Sequence, residues 1–187
     1  MRGMNDSPPT SPLRAGTTTG LAGLVTGVAH AARRAADRPD GEITERIMAA
    51  RVALTIAGVV SELLHDFAPA TTTRIDAFTV AAQATVATDR LDELVDADTL
   101  AEYGEGTPAA DLDTLRQTGQ TELHTLSDTD VERIAWAMID LGTAVRDLME
   151  PVAGNPVLAA KTSTAARITG DAGQMVWAHY GGDGGGW

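Results

Sequence analysis

Between Glu42 and Phe67 the chain reads EITERIMAARVALTIAGVVSELLHDF, and no other stretch restricts the fold as strongly. Met48, Val52, Ile56, Val59, Leu63 and Phe67 recur at spacings of 4, 4, 3, 4 and 4, the period of one helix face. Ile47, Leu54 and Val60 add apolar side chains on the other faces. A helix that is oily nearly all round is surrounded by partners, so this segment is expected at the centre of a bundle. Ala53, Ala57 and Gly58 leave a smooth strip for a neighbouring backbone. Asp40 is the expected N-cap, and Pro69 stops the helix.

The remaining segments supply the partners. Residues 16–36 give a soft helix with Leu21, Leu24, Val25 and Val28 on one side and GxxxG spacings at Gly16/Gly20 and Gly23/Gly27. After the central helix, Thr73 with Asp76 suggests a capping box for a helix over about 74–95, carrying Val80, Ala84, Ala87, Leu91 and Leu94. A short helix near 98–103 and another over 107–118, opened by Thr107 and Pro108 and closed by Gly119, follow. The clearest pattern is 128–150, where Val131, Ile134, Met138, Leu141, Val145 and Leu148 form a heptad seam. Ser127 caps this helix and Pro151 is expected to end it; the seam is also a candidate oligomer contact. A last helix is predicted from Asn155-Pro156 to about Tyr180, with Gly170 and Gly173 weakening its middle. No β-alternation and no internal repeat occur. The expected architecture is all-α: a single-domain bundle of about five to seven helices over 16–180, around the central helix 42–67. A disordered leader (1–15) precedes it and a Gly-rich tail (181–187) follows.

Composition limits the chemistry. Apolar residues make up 43% but aromatics only 4%, so the core must be aliphatic and Ala-rich. The chain has no cysteine, which removes disulfides, thiolate metal sites and thiol catalysis. Of its 14 basic residues all but Lys161 are Arg, a usage expected of a high-GC bacterium or its phages. The formal charge is −12, and residues 89–132 alone hold 13 acidic against 2 basic groups. Such a field repels phosphate, so nucleic acid is not an expected partner, whereas a basic protein is.

Each candidate site has a plainer explanation beside it. Glu62 and His65 form an ExxH pair, the spacing used by carboxylate-bridged di-iron bundles, and His30 with Asp66 would have to complete a mononuclear site. A second ExxH pair is missing, and a polar pair in the exposed last turn of a helix is the commoner explanation of the two residues. Asp128, Asp130 and Glu132 have calcium-loop spacing, but Arg133 stands where the loop glycine belongs, and capping accounts for all three. No G-x-S-x-G turn and no GxxxxGK[ST] loop occur. Trp136 and Trp177 are expected as core or interface anchors, and Trp187, behind Gly184–Gly186, as a residue that docks in a partner or folds back.

The expected function is therefore non-enzymatic: an acidic helical adaptor, accessory or assembly factor without cofactor, working through protein–protein contacts. Asp96, Asp98, Glu102, Glu105 and Trp187 are its expected partner-binding residues. The alternatives are a metal-dependent bundle enzyme using Glu62, His65 and His30, and an acidic DNA mimic. A cytoplasmic location is expected, without a membrane span, because Arg51 and Glu62 bracket the oiliest run. Secretion is the alternative, if 16–31 acts as a signal peptide cut at Ala29-His30-Ala31.

Overall fold

The computed structural model describes residues 20–38, 42–67, 71–104, 112–125 and 127–182. These hold seven helices and no strand: α1 (Leu21–Ala36), α2 (Ile43–Phe67), α3 (Thr71–Asp92), α4 (Ala97–Gly104), α5 (Leu112–Leu123), α6 (Asp128–Ala153) and α7 (Ala160–His179). The all-α bundle expected from periodicity is the fold observed. Asp40, Pro69, Thr107, Pro108, Glu105 and Trp187, like the leader 1–15 and the end of the Gly-rich tail, lie outside the described residues.

Helix α2 is the axis. It packs on α1, α3, α5, α6 and α7, and Ala50, Ala53, Leu54, Ile56, Ala57 and Val60 along it are fully buried. It is long and apolar enough to cross a membrane, yet the greater part of its apolar window is buried against the other helices. Around it the directions alternate. Paired positions Arg51/Asp92, Gly58/Ala84 and His65/Phe78 set α3 antiparallel to α2. Gly142 against Gly173 and Gly170 against Met149 set α7 antiparallel to α6. The heptad seam of α6 is buried inside the chain, Ile134, Met138, Leu141, Val145 and Leu148 joining residues of α1, α2 and α7 in the core.

Small residues determine how closely these helices approach. A methyl group added at Gly142 would come within 2.5 Å of the Gly173 carbonyl oxygen and 2.7 Å of the Trp177 nitrogen. Gly173, expected to weaken α7, is instead where α6 and α7 touch backbone to backbone. Dispersion contacts are densest at such crossings, which offsets the helix propensity lost at each glycine. In α1 the outcome is reversed: Gly27 is exposed with open space beside it, so this glycine of the Gly23/Gly27 spacing admits no neighbouring backbone.

Helix ends depart from expectation in several places. Helix α3 is already helical at Thr71, so Thr73 falls inside its first turn and is not an N-cap. Pro151 lies within the last turn of α6, which closes with the Gly154 N–H donating to the Glu150 carbonyl at 3.0 Å. Its missing N–H falls on an exposed position, where one lost bond is tolerated. Helix α5 extends past Gly119 to Leu123, because the glycine is needed there for Leu63 and Leu21 to pack against its backbone. Asn155 starts a turn, not α7: its Oδ1 accepts from the Val157 N–H at 3.0 Å, and the helix begins at Ala160. The Ser127 cap is as expected, with Oγ accepting from the Asp130 N–H and the Asp130 carboxylate accepting in turn from the Ser127 N–H.

Two polar devices tie the bundle together. Buried Arg46 donates from Nη2 to the carbonyls of Ala36 (3.1 Å) and Arg38 (2.7 Å), placing a cation on the negative end of α1. At the opposite end of α1 the Glu122 carboxylate accepts from the Leu21 N–H at 2.9 and 3.1 Å. Gly20 admits that carboxylate, since a methyl group there would lie 2.5 Å from its Oε1.

Candidate interaction surface

The expected metal-binding residues are placed apart. Leu21 and Leu63 meet at Gly119 while Arg46 reaches the Ala36 carbonyl at the other end, which sets α1 antiparallel to α2 with Leu21 level with Leu63. His30 is nine residues further along α1, about 13 Å in the opposite direction at 1.5 Å per residue. Its side chain is exposed. Glu62 accepts from Arg116 of α5 at 3.4 Å, and the His65 ring packs on Phe78 with centroids 5.3 Å apart. Among the described residues no group of three His, Asp or Glu is arranged to hold a metal ion.

The acidic residues separate into two kinds. Asp96 is a cap: its carboxylate accepts from the Thr99 N–H at 2.8 Å and the Thr99 hydroxyl at 2.9 Å, opening α4. These hydrogen bonds hold its carboxyl below the usual carboxylate range. Asp98 and Glu102 extend from α4 into solvent beside the half-exposed Tyr103. Thr99 and Leu100 of the same helix are half-buried, so the two acids lie on its outward side. Asp130 is likewise a capping residue, with its pKa lowered first by the Ser127 hydroxyl.

Sequence reasoning missed the apolar residues on the outside. Phe78 is 60% exposed, Val86 47% and Trp136 63%. Trp136 therefore does not belong to the core. The signal for Phe78 and Val86 is present in α3 itself. Ala77, Val80, Ala84, Ala87 and Leu91 define its buried face, and at 100° per residue both Phe78 and Val86 fall on the opposite side. The sequence alone offers no sign of the buried pair Ser61 and Tyr180, whose hydroxyl oxygens lie 2.8 Å apart across 119 residues of chain.

Chemically, the described surface offers carboxylates, apolar anchors and helix faces, a set suited to holding another macromolecule. No family model matches the chain, and no curated protein and no solved structure is significantly similar to it.

Proposed function

We propose that this protein is a non-enzymatic, acidic helical bundle that works by binding another protein of basic character. The observation that supports this reading is the placement of Asp98 and Glu102 on α4, both exposed to solvent. Their charges perform no packing task, unlike those of Asp96, Glu62 and Glu122, each of which is committed to a partner within the chain. Exposed carboxylates steer a cationic partner and speed its association more than they tighten the final complex.

The test keeps Asp96 intact, because removing that cap would disturb α4 as well as its charge. A partner captured from the native host is offered to the wild-type chain and to Asp98→Asn/Glu102→Gln, with association rates measured at low and high salt. The neutralised chain should associate more slowly at low salt, and high salt should bring the two together. Equal rates at both salt concentrations reject the reading.

A further inference from the structure

We propose that the chain beyond Gly182 folds back across α6 and seats Trp187 on the exposed indole of Trp136; this strap goes beyond the protein–protein reading above and does not rest on it. The turn after α7 sets its course. Gly181 takes a left-handed φ of 91°, and the Gly182 N–H donates to the Trp177 carbonyl at 2.9 Å, so the helix is closed and the chain turned aside. Gly182 then lies against the Trp177 indole, where an added methyl group would strike the ring. Trp177 itself stands on the α6 side of α7, since its backbone nitrogen is one of the atoms a methyl group at Gly142 would meet. The described residues therefore stop beside the junction of α6 and α7, pointed toward α6.

Reach and register select the landing place. With Gly142 against Trp177 and the two helices antiparallel, Trp136 lies about 9 Å back along α6, at the height where α7 ends. At 100° per residue it is a third of a turn around α6 from Gly142, with half-buried Ile139 midway between them. The step from one side to the other is less than the helix diameter of about 10–12 Å. Residues 183–187, fully extended, span about 17 Å. Trp187 is the only apolar side chain among them and Asp183 the only charge, so the indole is the one group able to anchor the segment. Trp136, 63% exposed, offers it a second indole for offset or edge-to-face packing. The short tether holds the two rings at a millimolar effective concentration, whereas a second copy, at a formal charge of −12, is repelled. Phe78, the other large exposed ring, is off this route. Asp76 is the residue of α3 that meets α7, through His179, and Phe78, two positions on, faces the opposite way.

The test uses the isotope-labelled full chain, whose three tryptophans give three indole N–H signals by NMR. Cross-relaxation between the rings of Trp187 and Trp136 is expected, and it should persist unchanged on dilution. Trp136→Ser alters an exposed side chain only; it should shift the Trp187 indole signal and return that indole to the mobility of a free chain. Trp187→Ser should shift the Trp136 signal in turn, and Phe78→Ser should move neither. A Trp187 indole equally mobile in wild type and in Trp136→Ser overturns the inference. So does an ordered Trp187 that Trp136→Ser leaves in place, because it is then seated elsewhere. Ring contacts that join labelled to unlabelled chains in a mixture, with a dimer in sedimentation, overturn it in favour of a second copy.

Discussion

Ser61 on α2 and Tyr180 just beyond α7 place their hydroxyl oxygens 2.8 Å apart in the interior, with both residues essentially inaccessible to water. The bond fixes the end of α7 against the central helix at one height, because a sliding helix would leave two buried hydroxyls without each other. Removing one partner, as in Tyr180→Phe, leaves the Ser61 hydroxyl buried without this bond and should cost about 1–3 kcal/mol. Ser61→Ala in the same chain should recover part of that loss, a coupling that a double-mutant cycle by denaturant unfolding would measure.

The same residue predicts an alkaline limit. Burial, the dominant cause, raises the Tyr180 phenol above its ordinary value of 10.0, and the Ser61 hydrogen bond opposes it only in part. The folded state keeps its proton where the unfolded chain gives it up. The stabilisation is therefore complete below about pH 10 and declines as pH rises from there toward the folded value. Unfolding free energy measured from about pH 8 to 11 should fall more steeply in wild type than in Tyr180→Phe. Parallel curves would show that this phenol is not sealed from water.

Two glycine-to-alanine changes should have opposite signs. At Gly142 the new methyl group meets backbone atoms of α7 at 2.5 and 2.7 Å, which only separation of the helices can relieve. We expect Gly142→Ala to destabilise by about 1–3 kcal/mol or more, the range for overpacked interiors. At Gly27 the methyl group enters open space within α1, so Gly27→Ala should stabilise by about 0.5–1 kcal/mol. Thermal melts of the two variants, displaced in opposite directions from wild type, check both.

The carboxylate that closes the start of α1 comes from α5, 101 residues away. Glu122→Ala should lose about 1.5–3 kcal/mol, since a charged acceptor on a helix N-terminus is removed from a partly buried site. Gly20→Ala should give a similar loss without touching the charge, by displacing the carboxylate. Hydrogen exchange at the Leu21 amide would rise in both.

How much of this is legible in the chain follows from the range of each interaction. The buried faces of α2 and α6 can be read because a core helix repeats its demand every three or four residues, and Ile56 or Leu141 is supported by its neighbours in sequence. Gly119 and Gly173 mislead because a glycine that ends a helix and one that admits a neighbouring backbone look alike until that neighbour is placed. Pro151 misleads because an exposed proline in a last turn forfeits one bond without breaking the helix. The metal expectation at Glu62 and His65 depends on long-range geometry, and Arg116 and Phe78, which contact these two side chains, lie on other helices. The acidic segment is visible as charge, but the division between the cap Asp96 and the solvent-facing Asp98 requires the Thr99 hydrogen bonds.

That division yields the last prediction. Asp96→Ala should fray α4, seen as loss of helical chemical shifts and faster amide exchange over Ala97–Gly104, because the Thr99 N–H loses its acceptor. Asp98→Asn removes a charge of the same sign two residues away and should leave those shifts in place. Acid should imitate the first change. The folded-state pKa of Asp96 lies below its ordinary 3.8, so its capping contribution is present above that value and is lost as pH falls through the folded pKa. A pH titration followed by NMR should therefore show α4 of wild type loosening only at the acid end, and α4 of Asp96→Ala loose throughout. If α4 of Asp96→Ala stays as ordered as wild type at neutral pH, the helix is held by something other than its cap.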